Sequence, residues 1–338
     1  MSNDAILMWC EEQLKEPITQ LRILAGDASL RTYYRCFCSQ STYIFMDSSR
    51  EKSSLERYLL LSKLFEKKNI LIPTLIACDP HLGWALISDF GNQLLYDYLV
   101  NDQADEWYVA ASAIISSMQK KSEYDVVPKF SQTQVLIELN YFKTWCLEKL
   151  LGIEITYKLS CLIESAFNLI AKQIEIQPYV LTHMDFHSRN LMVLPGSKRI
   201  GMIDFQDALM APITYDWVSL IKDCYIQCSD EKIRSLSFGF YNQKKLEGQL
   251  SNVSFDEFYN WLEWMGLQRH LKVLGIFSRL KLRDNKSNYI KDMPRVMQYI
   301  LKVIENKAEL KPLSELLVKE VLPKLNAYWA KLGIEAAA

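Results

Sequence analysis

The sequence lacks any marked excess of charge of one sign. Of its 338 residues, 39 are Lys or Arg and 40 are Asp or Glu, so the formal net charge is −1. A sequence-independent grip on nucleic acid requires a basic surface that displaces counterions, and attraction to a membrane surface requires a polybasic patch. The composition therefore predicts neither a nucleic-acid partner nor a membrane partner. We expect a monomer, with a dimer as the open alternative.

Long hydrophobic runs and the marks of an export signal are also absent. The longest stretch without a charged residue, Trp107–Gln119, has 13 residues, whereas roughly 18 are needed to suggest a membrane-spanning helix. The first four residues contain no basic region, and the acidic Glu11 and Glu12 follow soon after, so we do not expect a signal peptide. These features predict a cytoplasmic protein.

Cysteine and histidine are too sparse for their specialised uses. The eight cysteines form no CxxC pair, so we expect reduced, mostly buried thiols rather than a disulfide scaffold. The four histidines, at 81, 183, 187 and 270, leave little for a metal cluster. Hydrophobic residues, by contrast, make up 49% of the chain, which is enough to bury a sizeable core.

The first 90 residues favour a small, mostly antiparallel sheet with helices at 4–15 and 51–67. The predicted strands are 19–25, 32–38, 42–46, 74–79 and 84–88. After Gly91 the spacing becomes mainly helical. The predicted elements there are helices at 94–100, 104–120, 133–150, 156–175 and from Trp217 onward, with short strands at 180–182, 191–194 and 200–203. The sequence thus predicts an α+β protein with a small β-rich N-lobe, residues 1–90, and a large α-helical C-lobe, residues 91–338. We expect the ligand site in the cleft between the lobes.

The segment 182–207 carries the densest set of chemically capable side chains. Asp185 and Asn190 follow a predicted strand in the pattern H-x-D-x-x-x-x-N, and a tight hairpin is expected to return Asp204 beside Asn190. An amide oxygen and a carboxylate oxygen, together with phosphate oxygens, suit Mg²⁺. A base, two metal ligands and a nucleotide are the requirements of phosphoryl transfer. The spacing therefore indicates Asp185 as a base, with Asn190 and Asp204 as Mg²⁺ ligands.

Two other interpretations of this segment stay open at this point. His183, Asp185 and His187 alternate along the chain, as the ligands of a metal-dependent hydrolase do, although this explains neither Asn190 nor the Asp204 hairpin. Alternatively, the polar residues cap and tie a loop, which is the structural role that we expect for His183.

The loop and Asp204 resemble those of the aminoglycoside phosphotransferase-like kinases, which are relatives of the protein-kinase fold. Further segments look like one branch of that family, the anomeric N-acetylmuramate/N-acetylglucosamine kinases of bacterial cell-wall sugar recycling: 24–34, 203–220 and 267–277. The resemblance covers about residues 10–330. It implies a bilobed kinase-like fold, ATP and Mg²⁺ as cofactors, and a small-molecule amino sugar as substrate.

The resemblance also implies roles for individual residues. Asp185 matches the catalytic base, Asn190 and Asp204 match the Mg²⁺ ligands, and Asp216 matches an aspartate that supports the catalytic loop from below. The expected nucleotide contacts are Gly26, Ser29, Arg31, Ser88 and Phe90. The expected substrate contacts are Asp207, Arg189, Arg269 and His270.

The sequence departs from the general kinase pattern in three places. The loop 26–29 has one glycine instead of G-x-G-x-x-G, and Met46 stands where many kinases have a phosphate-binding lysine on the third strand. Arg31 is the candidate replacement cation, with Lys52 and Arg35 behind it. The letters D-F-G at 89–91 precede the catalytic loop, so this segment is interpreted as the hinge and Asp204 as the metal-binding aspartate.

The leading hypothesis is an ATP-dependent sugar 1-kinase that acts on N-acetylmuramate and N-acetylglucosamine. A kinase of the same fold that acts on an aminoglycoside, choline or homoserine is the main alternative. A non-catalytic nucleotide-binding protein is motivated by the missing third-strand lysine, but the intact Asp185, Asn190 and Asp204 speak against it.

Overall fold

The computed structural model describes most of the chain, namely residues 3–24, 30–100, 105–120 and 127–335. Contacts within the chain divide it into two compact units. The first comprises residues 1–101 and 189–208, and the second comprises residues 102–188 and 209–338. The units differ from the two lobes expected from the sequence mainly because the segment 189–208 packs with the N-terminal residues.

The first unit contains an antiparallel sheet of five strands in the order β1-β2-β3-β5-β4. Its strands are β1 (Gln20–Leu24), β2 (Thr32–Phe37), β3 (Thr42–Asp47), β4 (Leu75–Asp79) and β5 (Trp84–Ser88). All five lie where the sequence predicts them, and β2 and β3 are rich in the aromatic and β-branched residues that favour strands.

Three helices complete this unit: α1 (Asn3–Leu14), α2 (Lys52–Lys67) and α3 (Leu95–Leu99). Helix α2 buries Leu55, Tyr58, Leu61 and Phe65, and this spacing at three and four residues defines the face that packs inward. Its opposite face carries exposed charges, so the sequence alone fixes which side of α2 points to the core.

A second small sheet of the first unit is the hairpin of β7 (Leu191–Val193) and β8 (Ile200–Met202). The backbone N–H of Met202 donates to the Leu71 carbonyl oxygen at 2.8 Å, and that of Val193 donates to Gln93 at 2.8 Å. The predicted hairpin is therefore confirmed, and these bonds explain why it belongs to the N-terminal unit.

The second unit is mainly helical. Its helices are α4 (Asp105–Gln119), α5 (Gln132–Tyr141), α6 (Tyr157–Glu175), α7 (Tyr215–Ile221), α8 (Asp230–Leu246), α9 (Phe255–Asp284), α10 (Met293–Glu305), α11 (Lys311–Leu316) and α12 (Leu322–Ala330). Helix α5 continues as a π-helical stretch to Leu150. Strand β6 (Tyr179–Thr182) pairs with β9 (Leu209–Pro212), a strand that the sequence did not predict.

These elements confirm the predicted α+β class. No helix in the described ranges is long and apolar enough to cross a membrane. All eight cysteines are free, as predicted. Cys78 and Cys161 are exposed, however, so the expectation of buried thiols is wrong for these two.

The central helix of the second unit is α9, which spans 30 residues and packs against α5, α6, α7 and α10. Helix α9 approaches the backbone of a neighbour closely at Gly275. A Cβ atom added there would overlap the backbone of Tyr141 and Phe142. The absence of a side chain at this position therefore lets α9 lie directly on the end of α5.

We expect the substitution Gly275→Ala to lower the free energy of unfolding by at least about 1–3 kcal/mol, because backbone atoms cannot move aside as flexible side chains do. Gly239→Ala in α8 is the matched control, since nothing lies within 4 Å of its added Cβ. That control should be neutral or stabilising by about 0.5–1 kcal/mol. Urea denaturation followed by circular dichroism compares the two, and equal midpoints would contradict the prediction.

Candidate active site

The β7–β8 hairpin brings two of the predicted site residues together. Leu191 pairs with Met202, and the backbone N–H of Ile203 donates to the Asn190 carbonyl oxygen at 3.0 Å. Asn190 is therefore held across from the residue that precedes Asp204. The hairpin thus brings Asn190 close to Asp204 within one unit, although the two are 14 positions apart in sequence.

Asp204 holds an unusual backbone conformation and is the centre of a small polar cluster. Its φ angle is +62°, which side-chain-bearing residues rarely adopt. Its Oδ1 atom lies 3.1 Å from Nη2 of Arg31 and accepts a hydrogen bond from Nε2 of Gln206 at 3.0 Å. The same Gln206 amide donates to Oδ2 of Asp207 at 3.3 Å. Two exposed or half-exposed carboxylates are thus oriented by one buried amide.

The donor set on this unit fits a magnesium ion. Asp204 keeps 41% of its side chain exposed, so the carboxylate is accessible, and Asn190, which directly precedes β7, would supply an amide oxygen. Mg²⁺ prefers oxygen ligands and is usually held by one or two protein groups together with phosphate oxygens and waters. Asn190 and Asp204 are therefore the residues that would hold it.

The structure distinguishes among the three candidate cations. Arg31 is buried and contacts Asp204. Arg35 instead forms an ion pair with Asp89, with Nε 2.6 Å from Oδ2, and also donates to the Gly91 carbonyl oxygen at 2.8 Å. Nζ of Lys52 donates to the His81 carbonyl oxygen at 2.6 Å. Of the three, Arg31 is the one that reaches the predicted metal-binding aspartate.

The segment 88–91 has well-defined local contacts. Oγ of Ser88 accepts a hydrogen bond from the Thr74 backbone N–H at 2.8 Å. The ring of Phe90 lies against Gly201 of β8, where an added Cβ would overlap it. The side chains of Ser88 and Phe90 therefore hold this segment in place. Their predicted contacts with a nucleotide stay predictions, and Gly26 and Ser29 lie outside the described residues.

On the second unit, Asp216 holds the backbone that leads into the predicted base. Its Oδ2 accepts from the His183 N–H at 2.7 Å, and its Oδ1 accepts from the Met184 N–H at 3.2 Å. Nδ1 of His183 accepts from the Asp185 N–H at 3.2 Å. Met184 has a φ angle of +79°, so this turn is strained and depends on these bonds.

Charge and burial act in opposite directions on the two aspartates. Burial raises the pKa of Asp216 to about 6, although the charge of His183 and the two backbone donors favour its carboxylate. Burial also acts to raise the pKa of Asp185, but the nearby charges of Lys272, His187 and Arg269 outweigh it and hold the pKa below its usual range. Asp185 is therefore a carboxylate at neutral pH, as a proton acceptor must be.

Helix α9 supplies the positive charges near Asp185. Nη1 of Arg269 donates to the Met184 carbonyl oxygen at 3.0 Å, and its guanidinium lies 4.5 Å from the ring centroid of Tyr215. Nζ of Lys272 lies 2.8 Å from Oε1 of Glu138 and donates to the Tyr215 hydroxyl at 3.3 Å. Arg269 is buried and supports the loop, whereas the Lys272 side chain remains 16% exposed.

Two further residues expected to contact substrate, His270 and Arg189, have defined local contacts. The ring of His270 is buried, lies 3.0 Å from the Lys222 carbonyl oxygen through Nε2, and stacks on Tyr299 at 4.8 Å. These contacts favour a packing role. Arg189 belongs to the first unit, where its guanidinium lies 5.2 Å from the ring centroid of Tyr96.

The metal-hydrolase interpretation gains no support from the geometry. Among residues 3–24, 30–100, 105–120 and 127–335, no group of three His, Cys, Asp or Glu side chains is arranged to hold a metal ion. His183 is buried and bonded to the Asp185 N–H, while the His187 ring packs edge-on against Tyr225 at 5.5 Å. Both histidines therefore act within the loop.

Four residues of these clusters were not singled out from the sequence. Asp223 accepts from the Ser188 N–H at 2.9 Å and so supports the far end of the catalytic loop. The others are Glu138, Gln206 and Arg57. Of the four, only Gln206 could have been identified from the sequence, because it lies between Asp204 and Asp207. The contact partners of the other three are distant in sequence.

Comparisons with known proteins agree with the sequence motifs. A sequence profile described as the phosphotransferase enzyme family matches residues 20–235. A protein of Neisseria meningitidis serogroup B named N-acetylmuramate/N-acetylglucosamine kinase is 37% identical over 93% of this chain and 94% of its own length. A Pseudomonas aeruginosa protein of the same name is 31% identical over 89% of this chain and 88% of its own.

Solved structures show the same fold at lower identity. An ADP-bound aminoglycoside phosphotransferase, APH(2'')-Ib, has a TM-score of 0.60 at 15% identity and covers 89% of this chain and 99% of its own. Choline kinase LicA from Streptococcus pneumoniae has a TM-score of 0.62 at 12% identity and covers 88% of this chain and 99% of its own. The fold is therefore the bilobed, protein-kinase-like fold that the sequence predicts.

The buried His270 makes stability depend on pH. Burial lowers its pKa to about 3, against an ordinary value of about 6.5, so the unfolded chain binds a proton that the folded chain does not. Stability from this residue is present above pH 6.5 and falls by about 1.4 kcal/mol per pH unit below it. We expect His270→Gln to remove this part of the slope between pH 7 and 5 in urea denaturation. The exposed His81→Gln is the control, and identical slopes for wild type and His270→Gln would contradict the assignment.

Proposed function

The chain belongs to the phosphotransferase enzyme family, and from that premise we propose that it is an ATP- and Mg²⁺-dependent sugar 1-kinase. It phosphorylates the anomeric hydroxyl of N-acetylmuramate and N-acetylglucosamine, and its products serve nucleotide-sugar synthesis for the cell wall. The observation that carries the chemistry is the charged environment of Asp185, which keeps this carboxylate ionised on a loop fixed by Asp216. The choice of acceptor is supported by the names of the two relatives, which match 93% and 89% of this chain.

In this proposal Asp185 accepts the proton of the sugar hydroxyl. Transfer of a phosphoryl group requires little covalent work from the protein, so positioning and charge neutralisation dominate. A positioned general base contributes about 10²–10⁴ in rate. The bonds from His183 and Met184 to Asp216 support the role, because they fix the backbone from which Asp185 projects.

The first unit takes the nucleotide. Asn190 and Asp204 would hold Mg²⁺, and the ion would supply charge neutralisation at the transferred phosphoryl group. Arg31 contacts the phosphates in place of the third-strand lysine, a role supported by its 3.1 Å contact with Asp204. The segment at Ser88 and Phe90 meets the adenine.

The acceptor is recognised by residues of both signs. Asp207 accepts hydrogen bonds from sugar hydroxyls, and Arg189 contacts the acceptor. Arg269 contributes indirectly, because it holds the loop at Met184. We add Lys272 to this set in place of His270, because its ammonium is partly exposed and acts on Asp185. A lactyl carboxylate, which N-acetylmuramate has and N-acetylglucosamine lacks, is the acceptor group that such a cation attracts.

ADP release with Mg·ATP tests the function against a panel of N-acetylmuramate, N-acetylglucosamine, kanamycin, choline and homoserine. We expect activity with the two sugars and a phosphorus resonance from phosphate on C1. Asp185→Asn should lower kcat by about 10²–10⁴ and leave the affinity for Mg·ADP within about twofold, because the substitution keeps the shape of the side chain.

Two results would contradict this proposal. Activity only with kanamycin, choline or homoserine would favour the alternative acceptor class within the same fold, and retained sugar phosphorylation in Asp185→Asn would remove its role as base. Lys63→Met on the exposed face of α2 is the control for an unrelated substitution, and it should behave as wild type.

Lys272→Met tests how the acceptor is distinguished. The variant removes the ammonium beside Asp185 but keeps most of the aliphatic stem. We expect kcat/KM to fall about tenfold more for N-acetylmuramate than for N-acetylglucosamine, since a charge-assisted hydrogen bond contributes about 1.5–3 kcal/mol. The ratio of the two values cancels any general loss of activity. An unchanged ratio would exclude Lys272 from recognition of the carboxylate.

A further inference from the structure

The missing third-strand lysine leaves a structural question about helix α2. In protein kinases a lysine of the third strand pairs with a glutamate on the following helix, and the position of that helix controls the nucleotide site. Strand β3 here has no lysine, and Met46 pairs with Ala85 in the sheet. On α2 itself, Glu56 and Glu66 are exposed. The helix must therefore be connected to the metal-binding segment in another way.

That connection is made by Arg57, which lies half-buried on α2. Its Nε donates to the Gln206 carbonyl oxygen at 2.8 Å, and its Nη2 donates to the Ala208 carbonyl oxygen at 2.8 Å. Guanidinium presents several donors in one rigid plane, so a single side chain fixes two backbone carbonyls that are two residues apart.

Aromatic packing holds the same segment against α2. The ring of Phe205 stacks on Tyr58 with centroids 4.8 Å apart and meets Phe65 edge-on at 5.3 Å. Phe205 is fully buried. The residue next to the metal-binding aspartate is thus anchored in the helix, and Arg57 anchors the residues that follow.

Gln206 connects the Arg57 contact to the Asp204 carboxylate. Its carbonyl oxygen is held by Arg57, while its side-chain amide donates to Asp204 at 3.0 Å and to Asp207 at 3.3 Å. Gln206 is buried, so its backbone position determines where the amide points. The strained backbone of Asp204, with φ of +62°, makes its orientation dependent on such external bonds.

We propose that Arg57 is a positioning residue for the nucleotide and metal site: it fixes the Asp204 carboxylate through Gln206 and so connects α2 to this site where a lysine–glutamate pair would otherwise do so. The inference rests on the proposed function only in that Asp204 binds Mg²⁺ with the nucleotide. It does not depend on which acceptor is used.

The test separates positioning of the metal ligand from general support of the fold. The affinity of the full-length protein for ADP is measured by calorimetry with Mg²⁺ and without it, for wild type, Arg57→Met, Arg57→Lys and the control Lys63→Met. Arg57→Met should weaken Mg·ADP binding at least about tenfold, equivalent to about 1.4 kcal/mol, and change ADP binding without Mg²⁺ by less than about twofold. Arg57→Lys should recover part of the loss, because an ammonium reaches one carbonyl but not two. Lys63→Met should match wild type.

Kinetics give a second readout with the most active sugar. In Arg57→Met the Mg²⁺ concentration for half-maximal activity and the KM for ATP should rise, while the KM for the sugar stays within about twofold. Equal weakening of ADP binding with and without Mg²⁺ would overturn the proposal and leave Arg57 as a structural contact. Unchanged Mg·ADP binding in a folded variant would overturn it as well.

A variant at the other end of the link keeps the test decisive if Arg57→Met does not fold. Gln206→Met removes the bonds to Asp204 and Asp207 but keeps the carbonyl that Arg57 contacts, so it should show the same Mg²⁺-specific loss. Wild-type affinity in Gln206→Met would overturn the proposal. If the wild-type protein binds Mg·ADP but phosphorylates no sugar, only the proposed acceptor is contradicted. The binding comparison still tests the role of Arg57.

Discussion

Two strained backbone positions constrain the whole catalytic segment. Met184 and Asp204 both have positive φ angles, +79° and +62°, in a region that costs side-chain-bearing residues about 1–3 kcal/mol each. Met184 is held there by Asp216 and Arg269, and Asp204 by Arg31 and Gln206 through its carboxylate. Such strain persists only where surrounding contacts over-determine it. The residues that maintain these two turns are therefore as necessary to the site as those proposed to react.

The buried charges of the second unit affect the ionisation of Asp185 more than the stability of the fold. Burial acts to lower the pKa of Lys272, but Glu138, Tyr215 and Asp185 raise it above its ordinary range. Removing two charges from water costs free energy that their attraction often fails to recover, so the Glu138–Lys272 pair is weak evidence for stability. Its consequence is a fixed positive charge beside Asp185, which offsets the burial of that carboxylate. The network thus keeps the Asp185 carboxylate charged despite its burial.

The fold and the core of the site were predictable because their signals are local. The turn before Arg199 and the hairpin register place Asn190 across from Ile203, the neighbour of Asp204, and the spacing alone predicts this. The helical cluster 269–272 could not be predicted in the same way. The sequence shows three polar residues there, but not which way each side chain points. Packing against Lys222 and Tyr299 turns His270 inward, whereas Lys272 stays near Asp185.

The link from α2 shows why long-range contacts escaped prediction. Arg57 lies about 150 positions before the carbonyls it contacts, and carbonyl oxygens carry no residue identity that a sequence pattern could reveal. A lysine–glutamate pair joins two charged side chains, so the presence of one in the sequence suggests that the other is its partner. A guanidinium bonded to two carbonyls needs one particular side chain and a particular backbone path. The absence of a lysine at position 46 is therefore compatible with the proposed metal site, because the helix holds the backbone around Asp204 directly and Arg31 supplies a cation at its carboxylate.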